Sequence, residues 1–168
     1  MLRSKQGSVF RVTEIIIRLG IFIVGLLALG LFLLLVTVIV SRGEVAIAVG
    51  PNTSWILSGP GIARGYALSV LALAPVLAAL VKLLTVVRGA RVGDPFTKAN
   101  AARLRAIAWL LLASYLIQGL MMFLGYDSRE VLTFMSPWKG IGPVLLFFVV
   151  AQIFDHGADM RDELEGTV

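Results

Sequence analysis

From Leu19 to Val40 the chain carries no charged residue. This run is long enough to cross a hydrocarbon core, which takes about 20 helical residues. It follows Arg3, Lys5, Arg11 and Arg18, and Ala46-Ile47-Ala48 looks like a small-residue cleavage site. The run is nevertheless longer than the apolar stretch of a secretory signal, about 7–15 residues, so it is expected to stay as a membrane anchor. Tyr66 to Val87 forms a second apolar run, with Pro75 inside it and Lys82 near one end. Proline is tolerated in a spanning helix where neighbouring helices re-satisfy the backbone, and the lysine stem can reach the interface. Ile107 to Gly125 is the third run. Its helix is expected to begin near Thr97, with Asp94 or Thr97 as cap and Pro95 in the first turn. The polar stretch Thr97 to Arg105 then stands outside the lipid. Pro143 to Phe154 is the core of a fourth run, extended outward by Ile141 and Trp138 to span residues 138–155. Phe154, Ala158, Arg161 and Leu164 recur at helical spacing, which predicts an acidic helical stub beyond that span, with Gly157 as its weak point.

The pattern predicts one all-α membrane domain over residues 1–168, a bundle of four transmembrane helices over about 19–40, 66–87, 107–125 and 138–155. Between the first two runs, Val45, Ile47 and Val49 alternate before Gly50-Pro51-Asn52, and Trp55 and Leu57 follow. That spacing predicts a short β-hairpin. Tyr126 to Gly140 reads as a loop with an interfacial piece at Val131 to Met135. Lysine and arginine counts near span ends set orientation. The N-terminal segment holds four basic residues, and the second connection holds Lys82, Arg88, Arg91, Lys98, Arg103 and Arg105. The first connection holds Arg42 and Arg64, and the third holds Arg129 and Lys139. Both termini and the second connection are therefore expected in the cytoplasm, and the hairpin outside.

Composition supports lipid as the solvent. Of the 168 residues, 58% are hydrophobic, and the mean hydropathy is +0.93. A soluble domain is about 45–50% apolar. There is no cysteine, which removes disulfides, thiolate metal sites and a cysteine nucleophile. His156 is the single histidine, too few ligands for a zinc site with Asp155 and Asp159 alone. No serine has the spacing of a nucleophile elbow, and Gly59, Gly61 and Gly65 do not follow a strand at dinucleotide spacing. Neither an enzyme nor a cofactor is expected. No Asp, Glu or Arg lies mid-span, where intramembrane charges mark most ion paths. Thr37, Ser69, Ser114 and Gln118 read as packing groups between helices, and Ala74 and Ala78 give a face of small residues.

The charge of +5 averages two opposed segments. Six basic residues less Asp94 give the stretch Lys82–Arg105 a charge of +5. Asp155, Asp159, Asp162, Glu163 and Glu165 less Arg161 give the stretch Asp155–Val168 a charge of −4. The two lie at one membrane surface and can pair with each other. Exposed pairs contribute only about 0–1 kcal/mol each, so such a latch is exchangeable. The basic stretch can also meet anionic lipid, at about 1 kcal/mol per residue, or a cytosolic protein can compete for either segment.

Gly93-Asp94-Pro95-Phe96-Thr97, followed by Asn100 and Arg103-Leu104-Arg105, is one recognisable stretch. The other is Phe154, Gly157, Met160-Arg161 and Glu163-Leu164-Glu165-Gly166-Thr167-Val168. Together they resemble a bacterial membrane-protein family catalogued as domain of unknown function 2975, with four spans and both motifs in order. The resemblance implies an inner-membrane location and gene neighbours that encode small helix-turn-helix regulators. It implies no catalytic residues. Both motifs fall on the cytoplasmic side of the expected topology, where Phe96 serves as an interfacial anchor and Asn100, Arg103 and Arg105 present polar groups.

These readings converge on a regulatory interaction protein. Its expected contact residues are Asp94, Phe96, Asn100, Arg103, Arg105, Asp159, Arg161, Asp162 and Glu163. The expected partners are the bilayer, a cytosolic helix-turn-helix regulator and further copies of the chain, with no direct nucleic-acid binding. The alternative is an accessory subunit of a membrane complex, contacting its neighbours through Ala74, Ala78, Ser114 and Gln118. A small transporter comes after both.

Overall fold

The computed structural model describes the backbone of residues 2–41, 44–50, 53–58, 60–92, 95–123 and 137–165. Helix α1 spans Leu2–Val40. Strands β1 (Glu44–Gly50) and β2 (Thr53–Ser58) follow, then α2 (Pro60–Val92), α3 (Lys98–Phe123) and α4 (Pro137–Glu165). Among the described residues, four helices are long and apolar enough to cross a membrane, and the chain is a multi-pass membrane protein. The proposed piece at Val131 to Met135 lies outside the described residues.

The helix boundaries follow local chemistry. Pro60 and Pro137 open α2 and α4, where a missing N–H has no intrahelical acceptor to lose. Pro75 and Pro143 lie inside these helices without ending them. Hydroxyls in the apolar runs fold back on their own helix: Thr37 Oγ1 donates to the Leu33 carbonyl at 2.8 Å, Ser69 Oγ to Gly65 at 2.9 Å, and Thr85 Oγ1 to Val81 at 3.0 Å. Each polar group is thereby satisfied where water is absent. β1 and β2 pair antiparallel, with Val45 opposite Leu57 and Ile47 opposite Trp55, and the register shifts between Ala48 and Gly50.

The chain packs in sequence order. Among the described residues, the extensive helix contacts join α1 to α2, α2 to α3 and α3 to α4. The helices therefore form an antiparallel row with α1 and α4 at its two flanks. Ala79 and Val86 of α2, Leu104 and Ile107 of α3, and Ala151 of α4 form the core, with Leu83, Phe147 and Phe154 packed around it. The flanking faces of α1, such as Phe22, Leu26 and Leu33, are exposed and contact lipid.

Two expectations about small and polar residues change. Ala74 is exposed, whereas Ala72 and Ala79 are the alanines buried in α2. Ala78 is half-buried, so the Ala74–Ala78 face lies at the edge of the packed side of α2. Ser114 is buried and donates to the Ala72 carbonyl at 2.9 Å, and Gln118 Nε2 donates to Ser114 Oγ at 3.2 Å. Ser114 and Gln118, two of the four residues of the expected subunit contact, are thus engaged at the α2–α3 seam. Ser114→Ala should cost about 0.6–1 kcal/mol in reversible SDS unfolding without changing the oligomeric state of the purified protein. A change of oligomeric state would return Ser114 to the subunit reading.

Candidate interaction surface at the charged end

The turn before α3 is built from backbone acceptors. Thr97 caps the helix: its Oγ1 accepts from the Asn100 N–H at 3.2 Å, and its carbonyl accepts from the Ala101 N–H at 3.0 Å. This is the N-cap geometry that threonine supports. Pro95 precedes the helix instead of sitting in its first turn. Its carbonyl accepts from the Thr97 N–H at 3.1 Å and from Asn100 Nδ2 at 3.0 Å. Asp94 lies outside the described residues.

Asn100 is therefore a structural hub and does not present a polar group outward. It is 2% exposed, its Oδ1 accepts from Arg103 Nη1 at 2.9 Å, and its amide abuts Gly89 near the end of α2. It ties the connection to both helices. Arg103 is half-buried in holding it.

Phe96 has a partner on α4. Its ring lies 4.9 Å from that of Phe154, tilted by 42°, a spacing at which aromatic pairs attract. A Cβ placed on Gly157 would come within 2.8 Å of Phe96 Cδ1. Phe96 thus packs on α4 through a notch that glycine leaves open, with 41% of its surface still exposed. Gly157 does not interrupt α4, which continues to Glu165.

The opposed charges meet beside this aromatic pair. Lys98 at the start of α3 reaches Asp155 at 3.7 Å and also hydrogen-bonds Asp159. Arg105 Nη2 donates to Asp155 Oδ2 at 2.9 Å. Lys98, Arg105 and Asp159 are each about half exposed, and Asp155 one-third. Arg161, Asp162 and Glu163 continue along α4 as exposed residues. Phe96, Lys98, Arg105, Asp155, Gly157 and Asp159 therefore form a clasp between the connection and the end of α4. The sequence singled out Phe96, Arg105 and Asp159 for contact, but not Lys98. Phe154 and Gly157 were visible in the second motif without a stated role.

A second ionic contact fastens α1 at the same end. Glu14 is buried, accepting from Arg18 Nη2 at 3.1 Å and facing Arg91 Nη1 of α2 at 3.6 Å. Counting lysines and arginines for orientation passed over this carboxylate. The signal available was its i,i+4 spacing to Arg18. Among the described residues, no group of three or more His, Asp or Glu side chains is placed to hold a metal ion.

Residues 44–168 match the model of a family described as protein of unknown function, DUF2975. The match takes in both motifs, the hairpin and α2 to α4. Helix α1 precedes it, so the matched stretch holds three of the four described helices. No curated protein and no solved structure matches the chain.

Proposed function

We propose a function from one premise: the chain belongs to the DUF2975 family of proteins of unknown function. It is an interaction protein of a bacterial inner membrane, with its charged end and both termini in the cytoplasm. There it holds a small cytosolic helix-turn-helix regulator and releases it when a signal alters helix packing. The lysine and arginine bias of the segments at that end supports the orientation.

The observation that carries this reading is the clasp. The end of α4 is held on α3 by a half-exposed aromatic contact and by exposed ion pairs, which water and other cations can replace at small cost. A DNA-binding protein carries a basic face that meets phosphates, and the same face can compete for Asp155, Asp159, Asp162 and Glu163. The regulator's DNA-binding surface would be occupied while it is held.

Deleting residues 159–168 tests the reading in cells. The regulator is expected to leave the membrane fraction and the expression of its target genes to change. Unchanged fractionation together with unchanged expression would reject the proposal.

A further inference from the structure

The free face of α2 changes character toward the charged end. At about 100° per residue, Val81, Lys82, Thr85, Arg88 and Gly89 fall in one sector about 120° wide. The buried Ala72, Ala79, Leu84 and Val86 lie outside it. Val81, Lys82, Thr85 and Arg88 are exposed, and the Thr85 hydroxyl donates to the Val81 carbonyl. Gly89 opens the sector toward α3. Asn100 and Arg103 lie against it, with Arg103 Nη1 3.9 Å from where a Cβ would stand. The half-buried Arg103 therefore brings its guanidinium to the same face as Lys82 and Arg88.

Three cations thus border this face. Among the described residues, no carboxylate pairs with Lys82 or Arg88. Glu14, on the α1 side, is already held by Arg18 and Arg91. Arg103 Nη1 bonds the neutral Asn100 amide, which leaves its charge in place. Lys82 lies inside the span Ala67–Arg91, about 10 Å nearer the membrane centre than Gly89. Its stem carries the ammonium back toward the arginines. Ala74 and Val81, exposed on the same sector, continue it as an apolar surface toward the middle of the membrane. A fitting occupant is therefore apolar along Ala74 and Val81 and anionic beyond them. A phospholipid has that make-up, with its acyl chain inward and its phosphate at the charged end. A water-soluble acidic segment matches the cations alone.

We infer that Lys82, Arg88 and Arg103 form a binding site for the phosphate of an anionic phospholipid in the leaflet at the charged end. Guanidinium forks suit phosphate oxygens, and the lysine adds a compact point charge. A headgroup of net negative charge, such as phosphatidylglycerol, is preferred over phosphatidylcholine, whose choline cation the same three residues repel. The site uses none of the clasp's residues and does not depend on the regulator.

The test is native mass spectrometry of the full chain in detergent, titrated with phosphatidylglycerol or with phosphatidylcholine of the same acyl chains. Phosphatidylglycerol is expected to bind more tightly, and Lys82→Gln with Arg88→Gln to weaken that binding by about tenfold or more. Arg103→Gln should weaken it too, with Arg103→Lys restoring part of the loss. Lys5→Gln with Arg11→Gln removes the same charge from the start of α1 and should leave the affinity nearly unchanged. Equal affinity for the two lipids overturns the inference. So does equal weakening by the two double variants, the mark of diffuse attraction between a basic protein and anionic lipid. Displacement of the bound lipid by millimolar inorganic phosphate also overturns it, because the cations then hold a free anion and not a membrane lipid.

Discussion

Replacing Arg18 and Arg91 together by leucine should destabilise the protein by about 3–5 kcal/mol, because it strands a buried carboxylate. The Glu14 side chain is only 9% exposed, and these two guanidinium groups face its two oxygens. Either single replacement leaves one partner and should cost less. Replacing all three residues by leucine removes the charge with its partners, and such exchanges are often neutral or stabilising. Reversible SDS unfolding of the four proteins tests the order. If the double arginine variant is as stable as the parent, Glu14 is not buried between α1 and α2. Glu14, Ile17 and Val38 are the buried residues of α1 among those described. The ion pairs fix its depth against α2 at the charged end.

Gly157→Ala should change sign with its background. In a helix interior, alanine is favoured over glycine by about 1 kcal/mol. In the parent, however, the new methyl group meets Phe96 at 2.8 Å. The ring must leave Phe154, which forfeits the aromatic contact of about 0.5–1.5 kcal/mol along with its burial. Gly157→Ala is therefore expected to be neutral or slightly destabilising in the parent and stabilising by about 1 kcal/mol when Phe96 is alanine. Gly157→Leu should open the clasp outright while leaving the helices formed, read as faster proteolysis after residue 157. Identical effects of Gly157→Ala in both backgrounds would place Phe96 away from the notch.

The sequence makes the spans legible because lipid imposes one requirement on about 20 residues at a time. Leu19–Val40 and Tyr66–Val87 need no knowledge of their neighbours. The opposed charges of Lys82–Arg105 and Asp155–Val168 were equally visible, since net charge is a local property. Which residues meet was not visible. Phe96 pairs with Phe154 and Lys98 with Asp159 across about sixty positions of chain, and Glu14 meets Arg91 across a longer interval. The burial of Asn100 depends on the turn at Pro95, whose carbonyl it bonds, so a polar residue in a polar stretch reads as exposed until that turn is known. The rotation of α2 that buries Ala72 and Ala79 and exposes Ala74 is set by α1 and α3 on either side of it. Gly157 lies between these cases. A glycine inside a helical pattern signals that something approaches closely, but not what approaches.

The proposed function requires that a cytosolic regulator open and occupy the clasp at the charged end. In-cell photocrosslinking from probes at Arg103 and Asp162, read by mass spectrometry, tests it most directly. Both positions are expected to recover the same small helix-turn-helix protein, in addition to contacts within the chain. Recovery of only the chain's own connection and tail at both positions would contradict it and leave the clasp an internal fastening.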